Sequence, residues 1–495
     1  MRRLNGFLAL IPFGLRATFL YAAAMAWTKG LSMLTIPLLT AKLTPAQFGR
    51  LELLSSAAEI GGLIAGAGLV DTLFRFASAP GAAGRRAGAD IVGLSLVIAA
   101  LGIAATVMLS PMIAAAMPLA TPSSDIVLLG IAVALESAIG VPLGWLRMHQ
   151  RAGAFAALSM LRATLQAGLV VALVATGHGV AGVLWAGCIT VLIIASLLTI
   201  RQKRETGIAF APRASLRLLA YGLPLIGSGL AAFVLGTADR WLLAGTVTAA
   251  SLGQYGLAAK IAMITALLAQ PFEMWWYPQR LGLVGTPEGL ARSSRVVSAG
   301  AAGLLCAGAA TALASPWLIR LLAPPSYSPA QMMVPFLVLA LVLQLLSSMA
   351  NAGCYARATS NLTMGITAIA AAITLALYLL LIPRMGVYGA IAATVAGQAV
   401  RLAMFAVISQ RTVPLRWPLV RLSAIAAAGI AAGAAPLVAG INATGALAGG
   451  AGLIVTIALA LPVILGSGGR PALSAGLRRL ARGKSGPQPS SVPVR

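Results

Sequence analysis

About fourteen apolar stretches of roughly 20 residues follow one another from Ala17 to Gly466, and this repetition decides almost everything about how the chain can fold. Each stretch is long enough to cross a hydrocarbon core of roughly 30 Å as a helix. In lipid a crossing segment must satisfy its own backbone hydrogen bonds, which a helix does. The predicted spans are 17–40, 48–70, 89–110, 125–146, 152–176, 179–200, 220–243, 250–275, 296–319, 330–352, 360–382, 386–410, 422–440 and 444–466. Only 9% of the 495 residues are charged, against roughly a quarter in globular domains. The predicted class is therefore an all-α polytopic membrane protein.

The net charge of +25 would suggest nucleic acid on a soluble face. In a polytopic chain it follows from basic loops held on one side of the membrane. With both termini cytoplasmic, 26 of the 35 Lys and Arg fall in inner segments and 4 in outer ones: Lys42, Arg50, Arg320 and Arg384. That asymmetry sets the orientation, both ends inside, and argues against nucleic acid. Arg2, Arg3 and Arg16 precede an apolar run like a signal peptide, but the run continues to about Thr40, so it reads as a retained helix. Cys188, Cys306 and Cys354 are widely separated, and His149 and His178 stand alone, so no disulfide framework, metal centre or cofactor is expected.

The basic connection Arg201-Gln202-Lys203-Arg204, continuing through Arg213 and Arg217, divides the chain in two. The predicted organisation is a six-helix lobe over 1–200, a linker over 201–220, a second six-helix lobe over 221–411, two further helices over 412–466 and a basic, disordered tail over 467–495. An echo at an offset of 207 places Phe48-Gly49 on Tyr255-Gly256 and Gly179-Val180-x-Gly182 on Gly386-Val387-x-Gly389. Six spans separate the copies, so both enter the membrane in the same sense, an arrangement that places a cavity between two parallel repeats.

Charges inside the spans are the candidate site. Lys29, Glu59, Glu136 and Arg162 fall near span centres, and Lys260 and Arg401 within a few residues of them. An ionised group there costs at least roughly 2.5 to 3.5 kcal/mol, so each must face a partner, water or the bundle interior. Pairing of Glu59 with Lys29, or Glu136 with Arg162, would merely fix helix register. Yet Lys29, Arg162, Arg240, Lys260 and Arg401 outnumber Glu59, Glu136, Asp239 and Glu273 by one. A net-positive interior suits a phosphorylated cargo. Asp239 and Arg240 are adjacent and expected to point apart, whereas Asp71 and Arg75 have the i,i+4 spacing that allows pairing. Pro37, Pro142, Pro224 and Pro335 mark possible kinks, and Trp275-Trp276-Tyr277 an interfacial anchor.

Gly68-Leu69-Val70-Asp71-Thr72-Leu73-Phe74-Arg75-Phe76, Tyr221-Gly222-Leu223-Pro224-Leu225, Ala238-Asp239-Arg240, Leu252-Gly253-Gln254-Tyr255-Gly256 and Ile382-Pro383-Arg384-Met385-Gly386-Val387-Tyr388-Gly389-Ala390 resemble, in order and spacing, the motifs of the O-antigen flippase (Wzx-like) group. That group is the polysaccharide transporter branch of the multidrug/oligosaccharidyl-lipid/polysaccharide exporter superfamily. The resemblance covers about residues 20–410 and implies a flippase of the bacterial inner membrane. It would carry a polyprenyl-(pyro)phosphate-linked oligosaccharide to the periplasmic leaflet for O-antigen, lipopolysaccharide or exopolysaccharide synthesis.

The resemblance also implies cavity cations on the first, second and eighth helices; Lys29 and Lys260 fit, while the second helix carries Glu59. On this reading Lys29, Arg162, Lys260 and Arg401 bind substrate. Glu59, Glu136 or Asp239 couples H⁺ or Na⁺, and Asp71, Arg75 and Arg240 gate. Anionic lipids, a polysaccharide polymerase and glycosyltransferases are the expected partners. Cation-driven multidrug efflux is the alternative within the superfamily. A glycan polymerase or acyltransferase would need a sizeable catalytic loop, and the outer connections reach only about a dozen residues.

Overall fold

The structure, a computed structural model, describes residues 13–481 apart from 67, 80, 278, 281, 284, 285 and 356–360. Side chains are further left undescribed at 13–19, 214, 223–225, 228, 361 and 466–481. Among the described residues, thirteen helices are long and apolar enough to cross a membrane. They are α1 (Leu20–Lys42), α2 (Pro45–Phe76), α3 (Ala82–Ala116), α4 (Ser123–Met148), α5 (Ala152–Ala175), α6 (Gly179–Glu205), α8 (Ala249–Trp276), α9 (Pro287–Leu322), α10 (Ala330–Ala350), α11 (Leu362–Met385), α12 (Val387–Thr412), α13 (Leu419–Val438) and α14 (Ala443–Leu465). Between α6 and α8, α7 (Pro212–Gly236) and the short helix Asp239–Ala244 make the remaining crossing. Ahead of it Ala209 donates to the Ala89 carbonyl of α3, and beyond it Gln254 of α8 donates to the Ser326 carbonyl between α9 and α10.

Local chemistry starts and stops these helices. Pro212 and Pro287 occupy the first helical turn of α7 and α9, where a missing N–H costs nothing. Thr248 and Thr286 cap α8 and α9 by accepting from the N–H groups of Ser251 and Gly289. Gly179 and Gly386, at φ +57 and +55, turn the chain into α6 and α12, so the repeated glycine motif places in both halves a residue that tolerates positive φ at a helix start. The last helix continues in the backbone to Ala481. The tail expected from 467 thus begins as helix, and 482–495 lie outside the described residues.

Helices α1–α6 pack among themselves, as do α7–α12, and α13 and α14 pack on each other and on α9. The lobes meet chiefly where the first half of α2 crosses the first half of α8. A Cβ on Gly49 would lie 2.0 Å from the Ala249 carbonyl oxygen, and one on Gly253 2.0 Å from that of Pro45. This far end is further tied by Thr40 Oγ1 donating to the Leu322 carbonyl at 2.6 Å and Tyr327 OH donating to that of Leu43 at 3.0 Å. At the basic end α2 meets α7: a Cβ on Gly68 would come within 2.7 Å of the Gly222 carbonyl oxygen, and Phe76 meets Tyr221 edge-on at 5.4 Å. Both ends of the inter-lobe seam are therefore in backbone or ring contact.

Candidate functional site

Between those two contact zones lies a cavity of about 430 Å³. Helix α2 contributes Glu52, Ser55, Ser56 and Glu59; the break after α7 contributes Thr237, Asp239 and Arg240; α8 contributes Tyr255 and Lys260; α12 contributes Thr394 and Gln398. The break matters. Sequence predicts one span over 220–243, but α7 stops at Gly236 and helix resumes at Asp239, freeing backbone groups that only a polar cavity or a neighbouring side chain can satisfy. Ser56 Oγ donates to the Thr237 carbonyl at 3.3 Å, and Gln398 Nε2 to that of Leu235 at 3.3 Å.

The centre of the site is a carboxylate that the sequence reading passed over. Glu52, 2% exposed, meets Lys260 Nζ at 2.6 Å and Arg240 Nε at 3.4 Å. It belongs to one lobe and both cations to the other. A Cβ on Gly256 would strike the Glu52 side chain, so α8 bears glycine where that side chain crosses. Glu52 was missed because it stands near the end of its predicted span, and nothing local signals that α8 will cover it.

Arg240 also contacts Asp239, at 3.3 Å from Nη1. This corrects the expectation that the two point apart: Asp239 opens the short helix, and its Oδ1 accepts the Arg240 N–H at 2.8 Å, which turns the carboxylate forward. The other oxygen of Asp239 accepts from Tyr255 OH. Glu59, exposed to the cavity, accepts from Thr237 Oγ1 at 2.7 Å rather than pairing with Lys29.

Of the residues expected to share one chamber, Glu59, Asp239, Arg240 and Lys260 converge; the others do not line the cavity. Arg162 pairs with Glu136 inside the first lobe, with one contact at 3.2 Å, as the register-fixing alternative anticipates. Lys29 is exposed on the face of α1 that carries Met25, one turn away, whose sulfur faces Gln270 of α8. Arg401 lies in the second lobe, half-buried over Phe405. Asp71 and Arg75 are both exposed at the basic end and form no ion pair. Formally the lining holds three carboxylates, Glu52, Glu59 and Asp239, against the two cations Arg240 and Lys260. The expected net-positive chamber is thus not what the cavity presents, because Lys29, Arg162 and Arg401 lie elsewhere and Glu52 adds a charge that the count left out. Trp276, expected at the lipid interface, is instead 3% exposed in the core.

Residues 15–279, more than half of the chain, match the family model described as "Polysaccharide biosynthesis protein". No curated protein sequence matches the chain. Among solved structures, "Lipid II flippase MurJ, inward closed conformation" aligns with TM-score 0.69 at 10% identity, over 94% of this chain and 100% of that one. "Structure of MATE multidrug transporter DinF-BH in complex with R6G" aligns with TM-score 0.58 at 14% identity, over 82% and 96%. An inward-facing "multidrug resistance MATE family transporter of the MOP superfamily" aligns with TM-score 0.55 at 18% identity, over 80% and 95%. These likenesses establish the fold, an all-α bundle of long apolar helices. The family match establishes descent: the chain belongs to the polysaccharide biosynthesis protein family.

Proposed function

We propose that the protein carries a polyprenyl-(pyro)phosphate-linked oligosaccharide from the cytoplasmic to the periplasmic leaflet of a bacterial inner membrane by alternating access, for cell-surface polysaccharide synthesis. One observation carries the reading: an ion pair shared between the lobes, Glu52 against Lys260 and Arg240, stands at the cavity. A phosphate offers Lys and Arg the same charge-assisted hydrogen bonds as a carboxylate. An arriving headgroup therefore competes with Glu52 for Lys260 and Arg240, and its success unfastens α2 from α8. At about 430 Å³ the cavity is of a size that holds a drug-sized ligand, so an oligosaccharide requires the lobes to part. Lys29, on the α1 face turned toward α8, meets the headgroup on entry, and Arg162 and Arg401 serve the cargo beside the cavity.

Glu59 or Asp239 takes up the coupling H⁺ or Na⁺, Glu136 steadies Arg162, and Asp71, Arg75 and Arg240 stand at the gates. The basic face, cytoplasmic in this reading, lies on anionic lipid and meets the glycosyltransferases and polymerase. Replacing Lys29 and Lys260 together by Ala is expected to cut glycan export in a complementation assay at least tenfold at unchanged membrane level. Undiminished export would remove both from the cargo path.

The three-to-two excess of carboxylates favours a second reading, cation-coupled efflux of a cationic drug. Uptake of an organic cation into vesicles, abolished by Glu59→Gln, would establish it; export of glycan with no such uptake would dismiss it.

A further inference from the structure

Two arginines of the second lobe share one aromatic surround and have no carboxylate. Arg280, 6% exposed, follows α8 at the basic end. Its Nη1 donates to Asn351 Oδ1 at 2.7 Å and to the Ser348 carbonyl at 3.4 Å. Its guanidinium lies over the rings of Tyr277 and Tyr355, at 4.1 and 4.8 Å from their centroids. Arg401 of α12 lies over Phe405 at 5.5 Å and close to the same two phenols. The Nε–H groups of both arginines are buried and reach no acceptor among the described residues.

All ten acidic side chains of the chain are described, and those that form ion pairs do so elsewhere, with Arg50, Arg151, Arg162, Arg201, Arg240 and Lys260. Withdrawing guanidinium groups from water around shared rings without a counter-charge is unfavourable unless something anionic joins them. Aromatic faces offset part of that cost, and Arg280 alone is accounted for as a fastener of the end of α10. Arg401 is not: it makes no hydrogen bond to the described residues and remains half-buried. Tyr355 is 38% exposed, so the group reaches the surface at that ring.

We propose that Arg280 and Arg401, with the phenols of Tyr277 and Tyr355, form a binding site for a phosphate ester, separate from the cavity between the lobes. Two forked guanidinium groups supply planar donors to phosphate oxygens, and the phenols add O–H donors. Only the site's place in a transport cycle rests on the flippase reading; the binding itself does not.

The full chain, purified in detergent, is titrated with farnesyl phosphate, farnesol, dioctanoyl phosphatidylglycerol and inorganic phosphate, followed by thermal stabilisation. Farnesyl phosphate is expected to stabilise it and farnesol not. Arg401→Gln is expected to weaken phosphate binding at least tenfold, with Arg401→Lys retaining most of it. Because Arg280 also holds Asn351, the half-buried Arg401 carries the test. Inorganic phosphate binding with the same Arg401 dependence identifies a soluble source, and binding confined to the esters identifies a lipid headgroup; both uphold the site. Equal binding to wild type and Arg401→Gln, or farnesol matching its phosphate, overturns it. Export that persists alongside such a failure removes this site alone, whereas phosphate binding in a chain that exports no glycan removes the transport reading alone.

Discussion

Leucine at Gly253 is expected to hold the far end of the protein open and to abolish transport. Even a Cβ at this position would lie 2.0 Å from the Pro45 carbonyl oxygen and 2.9 Å from the Gly49 nitrogen. Both atoms are backbone and cannot swing aside as a side-chain tip does, so α2 and α8 must separate. Overpacking of this kind costs typically 1–3 kcal/mol. Between conformations that differ by only a few kcal/mol, that is a shift of about five- to 150-fold away from the closed far end. The direction is read with a cysteine at Ser55, which is exposed in the cavity: an impermeant maleimide added on the far side should label Gly253→Leu much faster than the parent. Gly68→Val should do the reverse, labelling from the basic side, because its Cβ meets Gly222. Gly68 is the weaker probe, since its φ of +65 adds local strain to the wedge. Unchanged labelling and unchanged export in Gly253→Leu would mean that the α2–α8 contact does not move.

How far the sequence foretold this arrangement depends on how local each signal is. The spans were legible because lipid demands long apolar helices, and the repeated glycine motif because Gly179 and Gly386 both take a positive φ at a helix start. Phe48-Gly49 and Tyr255-Gly256, paired only by their offset, lie on the two helices that cross at the far end. The alternative in which Glu136 pairs with Arg162 follows from depth alone, and the pair forms because their helices are neighbours.

Three features were not legible. Glu52 stands near a predicted span end, and its burial comes from α8, some two hundred residues along. Arg280 was counted as a loop residue, yet Asn351 and Tyr355 enclose it from the end of another helix. The contact of Asp239 with Arg240 depends on a helix break at Thr237 that composition does not announce. In each case the missing information is which distant helix packs alongside, a tertiary property.

Glu52→Gln is expected to have the other large effect, and a second substitution separates its two causes. Glu52 is almost wholly buried while Lys260 remains about a third exposed. Loss of one partner of a fully buried pair typically costs about 3–5 kcal/mol; the partial exposure of Lys260 and the retained contact of Arg240 with Asp239 place this substitution below that range. The single variant should therefore unfold several degrees earlier in a thermal scan and export no glycan. Adding Lys260→Met removes the stranded charge, and replacing both partners of a buried pair by groups of similar volume is often close to neutral. If the pair only holds the lobes together, the double variant recovers stability and export alike. If Lys260 also receives the phosphate, stability returns and export does not, because the cation that must exchange a carboxylate for the cargo is gone. Recovery of export in the double variant would thus rule out the exchange at Lys260 of Glu52 for a phosphate, while leaving the fold and the Gly49–Gly253 contact untouched.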